Sequence, residues 1–167
     1  MTASAAGRLL LTLVLALAPL AARAVDAGSE TGLPLPRFAS LGTDRVNVRT
    51  GPGTRYPVAW VFVREALPIE VVGEFEQWRR VRDHDGAEGW VHKAMLSGRR
   101  TVVVTGGVRT LHAAPRPDSP PVARVEAGVL GRLDSCRNDW CEVAFAGYRG
   151  WMPAGEMWGA EEISAVR

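Results

Sequence analysis

Beyond residue 24 the 167-residue sequence contains no long apolar run, no stripe at helical spacing over ten residues, and no block of one charge. Each absence excludes something. Without about 20 consecutive apolar residues no later segment can cross a bilayer as a helix. Without a basic stripe the electrostatic footprint of a nucleic-acid binder is missing. The only dense basic cluster, Arg79, Arg80 and Arg82, is followed at once by Asp83, Asp85 and Glu88 and reads as a self-compensated hairpin. The three histidines, His84, His92 and His112, stand apart, with no spacing suited to a metal or a nucleophile–base pair, so no catalytic residue, metal site or cofactor is expected. Gly51-Pro52-Gly53 lacks the following Lys and Ser/Thr of a phosphate loop and reads as a turn.

What is present begins with a leader. Arg8 precedes an apolar run from Leu9 to about Leu20, and Ala22-Arg23-Ala24 precedes Val25. This is the pattern of a secretory signal peptide over residues 1–24, and it predicts a periplasmic or secreted chain with no permanent membrane span after cleavage. Loss of Arg8 and Arg23 leaves eighteen basic residues against eighteen acidic ones, a nearly neutral chain. Cys136 and Cys141, the only cysteines, then lie in an oxidising compartment and are expected to form a disulfide. Two thiolates alone supply half of the four ligands that structural zinc requires.

The remaining sequence repeats itself. Trp78-Arg79-Arg80-Val81 and Trp140-Cys141-Glu142-Val143 share W-x-x-V, and each is followed by a glycine turn and Gly-Trp, at Gly89-Trp90 and Gly150-Trp151. Pro57-Val58-Ala59 matches Pro121-Val122-Ala123. Short apolar runs of period two read as strands at Val46–Arg49, Val58–Val63, Pro68–Phe75, Trp78–Val81 and Gly89–Val91, with the same plan in the second copy. Residues 25–43 have no periodicity and read as a flexible leader. Thr101–Thr105 reads as the last strand of the first unit. The expected division is therefore residues 44–105 and 106–160, with a tail at 161–167.

The segment "VNVRTGPGTRYPVAWVF", the later W-x-x-V and "GWV" resemble, in order and spacing, the bacterial Src-homology-3-like (SH3-like) family over Val46 to Leu96. Val108 to Gly159 resembles the same family less closely. The resemblance implies an all-β chain of two tandem small barrels, each with a long loop after its first strand, here Thr50–Pro57, and a helical turn, here His92–Leu96. Strand alternation then puts Val91 inside and Trp90 outside, and Met152 and Met157 inside with Trp151 outside. Function is expected to be non-catalytic binding at the cell envelope. Peptidoglycan or its stem peptides would lie in a groove around Tyr56, Trp60, Trp78 and Trp90, with Arg49 as a carboxylate partner. Two alternatives stand beside it: Trp60 and Trp78 as caps on a small core, and a periplasmic protein–protein adaptor. Oligomeric state is not legible in the sequence.

Overall fold

The computed structural model describes residues 26–160. The expected leader peptide and C-terminal tail lie outside them. Described residues form strands and two short 3-10 turns. The first sheet comprises β3 (Arg37–Leu41), β4 (Val46–Arg49), β5 (Val58–Phe62), β6 (Pro68–Phe75), β7 (Trp78–Arg82), β8 (Glu88–His92) and β9 (Leu96–Ser97). It is preceded by a small hairpin of β1 (Asp26–Ala27) and β2 (Pro34–Leu35). The second sheet comprises β10 (Thr101–Val104), β11 (Arg109–His112), β12 (Pro121–Val125), β13 (Leu130–Arg137), β14 (Trp140–Phe145), β15 (Tyr148–Pro153) and β16 (Met157–Trp158).

The spatial orders are β5-β4-β8-β7-β6-β3-β9 and β12-β11-β15-β14-β13-β10-β16, which are the same topology twice. Each sheet bends around its own core. In the first unit that core is Leu41, Val46, Val48, Ile69, Val71, Val81 and Val91, and in the second it includes Val102, Leu111, Val143, Met152 and Met157. The repeated Gly-Trp has a steric reason. Gly89 and Gly150 face inward where β8 and β15 cross β4 and β11. A Cβ on Gly150 would stand 2.5 Å from the His112 carbonyl oxygen, and one on Gly89 3.2 Å from the Arg49 carbonyl oxygen.

Two expectations are corrected. Residues 25–43 are not a flexible leader throughout, because β3 is a strand of the first sheet, paired with β6 and β9. Thr101–Val104 does not close the first unit but opens the second, paired with β13 and β16. The first unit therefore starts at Arg37 and the second at Thr101. The polar, proline-bearing approach to β3 hid its alternation, and the fully apolar Val102-Val103-Val104 carries no sign of which sheet it joins. Trp151 faces outward yet is only 7% exposed, because the Arg137 guanidinium lies over its ring at 4.3 Å.

The two units touch. The Phe38 and Trp158 rings meet edge to face at 5.0 Å and Arg64 donates to the Gly128 carbonyl, while Arg100 of the joining segment donates to that of Gly159.

Candidate functional site

Four bulges recur at matching places in the two sheets, and they set which side chains face out. Between Val71 and Gly73 the pairing of β6 with β7 slips by one residue, so Val72 is extra. Strict alternation from Ile69 and Val71 would bury Phe75. The slip instead turns Phe75 outward opposite Trp78 and turns Glu74 inward opposite Arg79. Phe75 is accordingly 48% exposed, and the Glu74 side chain is fully enclosed.

On the outer face beside this hairpin, Asn47 of β4, His92 of β8 and Trp78 of β7 stand in one row. With Arg45, Arg49, Thr54 and Met95 they line a groove of about 230 Å³. A second depression of about 500 Å³ continues past Thr54 and His92 along Pro52–Arg55 and Phe75–Trp78. The His92 and Trp78 rings pack edge to face at 5.4 Å. His92 Nδ1 accepts the Ala94 N–H at 3.2 Å, capping the 3-10 turn Lys93–Met95. This fixes the proton of the neutral ring on Nε2, leaving a donor on the other nitrogen.

The five residues predicted from sequence separate. Trp78 and Arg49 line the groove. Arg49 is first a brace: its guanidinium donates to the carbonyls of Thr54 at 3.1 Å and Tyr56 at 2.6 Å, pinning the loop that forms one rim. Tyr56 supports the same loop from within. Its ring lies on Gly51, where a Cβ would come within 2.5 Å of it, so only glycine fits beneath. Trp90 faces outward one row away, cross-paired with Arg49 and Arg80. The surface around it is electrically closed, with Arg80 and Arg82 each 2.6 Å from Glu88 and Arg82 3.1 Å from Glu70. The hydrogen bond from Arg82 holds the Glu88 carboxyl below its ordinary range, outweighing the opposing effect of burial, with further help from Arg80.

Trp60 follows the alternative reading, a cap on the small core. Its register opposite Val48 turns it inward, where it packs on the first core and meets Phe62 edge to face at 6.1 Å. In "VAWVF" every position is apolar, so no alternation signals a face. Sequence reasoning missed Arg45, Asn47, His92 and Met95 as groove residues. Asn47 was detectable as the polar position within Val-Asn-Val, whereas Arg45 lies just before its strand and carries no pattern. Arg45 has no hydrogen-bond or ion-pair partner among the described residues. It is the uncommitted cation at the groove.

Behind the groove, Glu74 anchors the hairpin. Its carboxylate accepts the backbone N–H groups of Glu30 and Thr31 at 2.9 Å each, the Thr31 hydroxyl at 2.7 Å and Arg37 at 2.6 Å, with Arg79 Nε at 3.4 Å. Burial pushes this carboxyl upward, but the donors from Thr31, Arg37 and the Glu30 and Thr31 backbone together hold it at about 2. Arg79 in turn donates to the carbonyls of Glu76 and Trp78, fixing the turn that carries Trp78. Arg79 thus stands apart from the self-compensated hairpin expected of all three arginines, in which Arg80 and Arg82 pair with Glu88.

In the second unit the corresponding register pair is Cys136 and Cys141, joined by a disulfide as expected. There Arg137 and Trp140 take the places of Phe75 and Trp78, and His112 takes that of Arg49, with Nδ1 3.1 Å from the Ser119 carbonyl oxygen. With Arg137 folded onto Trp151, that face is covered by its own side chain. Among the described residues no three His, Cys, Asp or Glu side chains cluster as a metal site, and no helix is long and apolar enough to cross a membrane.

Comparison with known proteins agrees with the twofold architecture. No protein of curated function matches the chain. Solved structures that resemble it include NlpC2 and NlpC1 of Trichomonas vaginalis, at 14% and 15% identity over 74% and 80% of this chain, each with a TM-score of 0.34. The match spans about half of those chains, 48% of each. The model of the bacterial SH3 domain matches residues 42–98 and again 109–159, one match within each sheet. The chain therefore belongs to the bacterial SH3 domain family and carries two tandem SH3-like units.

Proposed function

We propose that this is an exported, non-catalytic binding module of the cell envelope, whose first unit holds a peptidoglycan stem peptide in the groove beside Trp78. The observation that supports this reading most is the make-up of the groove. An indole and a methionine supply apolar contact, Asn47 and His92 supply backbone-directed hydrogen bonding, and the uncommitted Arg45 supplies a carboxylate partner at the rim. A stem peptide is short, has small side chains and carries free carboxylates, which suits a shallow cleft of this kind. Arg45, rather than the loop-bracing Arg49, is the residue to which the carboxylate is assigned. Export rests on the leader sequence.

The test is co-sedimentation of the chain from residue 25 onward with purified sacculi, beside the Trp78→Ala variant. Saturable binding, weakened about tenfold in the variant, is the expected result, the scale of loss usual for a central aromatic anchor. Absence of binding by the folded wild type, together with recovery of one defined envelope protein by crosslinking, would replace this reading with the adaptor.

A further inference from the structure

A second concavity lies between the units, away from the groove. It has a volume of about 480 Å³, an apolar lining that includes the outward Leu130 and Ala66, and a rim bearing Arg99, Arg100 and Arg132, with no carboxylate in its lining. The pairing of the inter-unit segment with β13 assembles it: Thr101 is opposite Arg132, and the Leu133 N–H donates to the Arg100 carbonyl at 3.1 Å.

The arginines differ in how firmly they are held. Arg100 donates to the Gly159 carbonyl at 3.0 Å, which fixes its position. Arg99 pairs with Glu65 and Arg132 with Asp134, but both guanidinium side chains are more than 60% exposed. Ion pairs so exposed contribute roughly 0–1 kcal/mol, and a guanidinium has five N–H donors, so both retain donors for a second acceptor. Apolar floor and cationic rim at a junction between units form the usual composition of a small-ligand site.

We infer that this cleft is a binding site for a peptide C-terminus: the carboxylate is held among Arg99, Arg100 and Arg132, and a small aliphatic side chain lies on Leu130 and Ala66. This inference does not depend on the groove of the first unit binding a stem peptide. A ligand seated here touches the inter-unit segment and the second unit, with Ala66 the first unit's part of the lining.

Backbone amide NMR of the chain from residue 25 onward tests it, with three probes: N-acetyl-alanyl-alanine, the same dipeptide as its C-terminal amide, and inorganic phosphate. The free acid is expected to shift amides at Arg100–Val102 and Leu130–Leu133, with much weaker effects from the amide and phosphate. The double variant Arg99→Glu/Arg132→Glu, changed only at exposed side chains, is expected to weaken binding about tenfold. Arg45→Ala is expected to leave it unchanged. Equal shifts from the amide would overturn the carboxylate assignment, and equal shifts from phosphate would show an adventitious ion only. Shifts confined to Arg45–Met95, or an unaffected double variant, would place the dipeptide elsewhere.

Discussion

Trp78 and Trp60 are both half-buried indoles of one unit, yet pairing assigns them opposite work. Opposite His92, Trp78 stands on the outer face, and opposite Val48, Trp60 stands on the core. Trp78→Ala is therefore expected to cost little stability, about 1 kcal/mol in urea unfolding, and to weaken wall binding about tenfold. Trp60→Ala is expected to cost about 3 kcal/mol, the range for emptying an aromatic site in a core. The reverse order of stability loss would contradict the assignment of faces. Arg45→Ala should unfold within about 0.5 kcal/mol of wild type, since among the described residues the side chain has no hydrogen bond or ion pair to lose, while weakening binding. At this scale the sequence was informative wherever polar and apolar residues alternate: Val-Asn-Val places Asn47 outside, and Gly-Trp-Val places Trp90 outside. It was silent at "VAWVF", where the run is apolar throughout. The expected role of Arg49 changed for a different reason, since its hydrogen bonds to Thr54 and Tyr56 exist only once the loop has folded back on it.

The hairpins β6–β7 and β13–β14 solve one problem with different chemistry. Both carry an outward tryptophan, and both have a bulge that turns the next register pair inward. That pair is Glu74 with Arg79 in the first unit and Cys136 with Cys141 in the second. The ionic version has a pH dependence. With a folded value of about 2 against an ordinary 4.5, Glu74 binds its proton more readily in the unfolded chain. Its contribution is complete above about pH 4.5 and is lost as pH falls toward 2. Allowing for solvent screening, the contribution is on the order of 2 kcal/mol. Urea midpoints measured between pH 5 and pH 2.5 are expected to fall for wild type. In Glu74→Gln this component of the fall is absent, and stability at neutral pH is lower by about 3 kcal/mol because Arg37 and Arg79 lose their acid. A variant as stable as wild type at pH 7 would refute the anchor. Removal of the disulfide by Cys136→Ala/Cys141→Ala should cost about 2 kcal/mol by the chain-entropy account. The disulfide was legible from composition together with the expectation of export. Glu74 was not, because a bulge is invisible to a rule of strict alternation.

For the whole molecule, the repeat was readable from W-x-x-V and Gly-Trp, and two SH3-like units followed. Their boundaries were not, because β3 and β10 lie upstream of the repeated motifs and pair only at long range. Both strands sit at the junction, where Phe38 of β3 meets Trp158 of β16. Calorimetry of wild type should show the units melting together, and Trp158→Ala should separate the transitions. Two transitions in wild type would show that the contact does not couple them.

The central claim, a peptide groove beside Trp78 in the first unit alone, is tested most directly by following the six indole N–H resonances while a soluble stem-peptide fragment is titrated in. A saturable shift of Trp78 is expected, with a smaller one of neighbouring Trp90 and no change at Trp140 or Trp151, where Arg137 already covers the face. Shifts at Trp140 and Trp151 with Trp78 unmoved would contradict it.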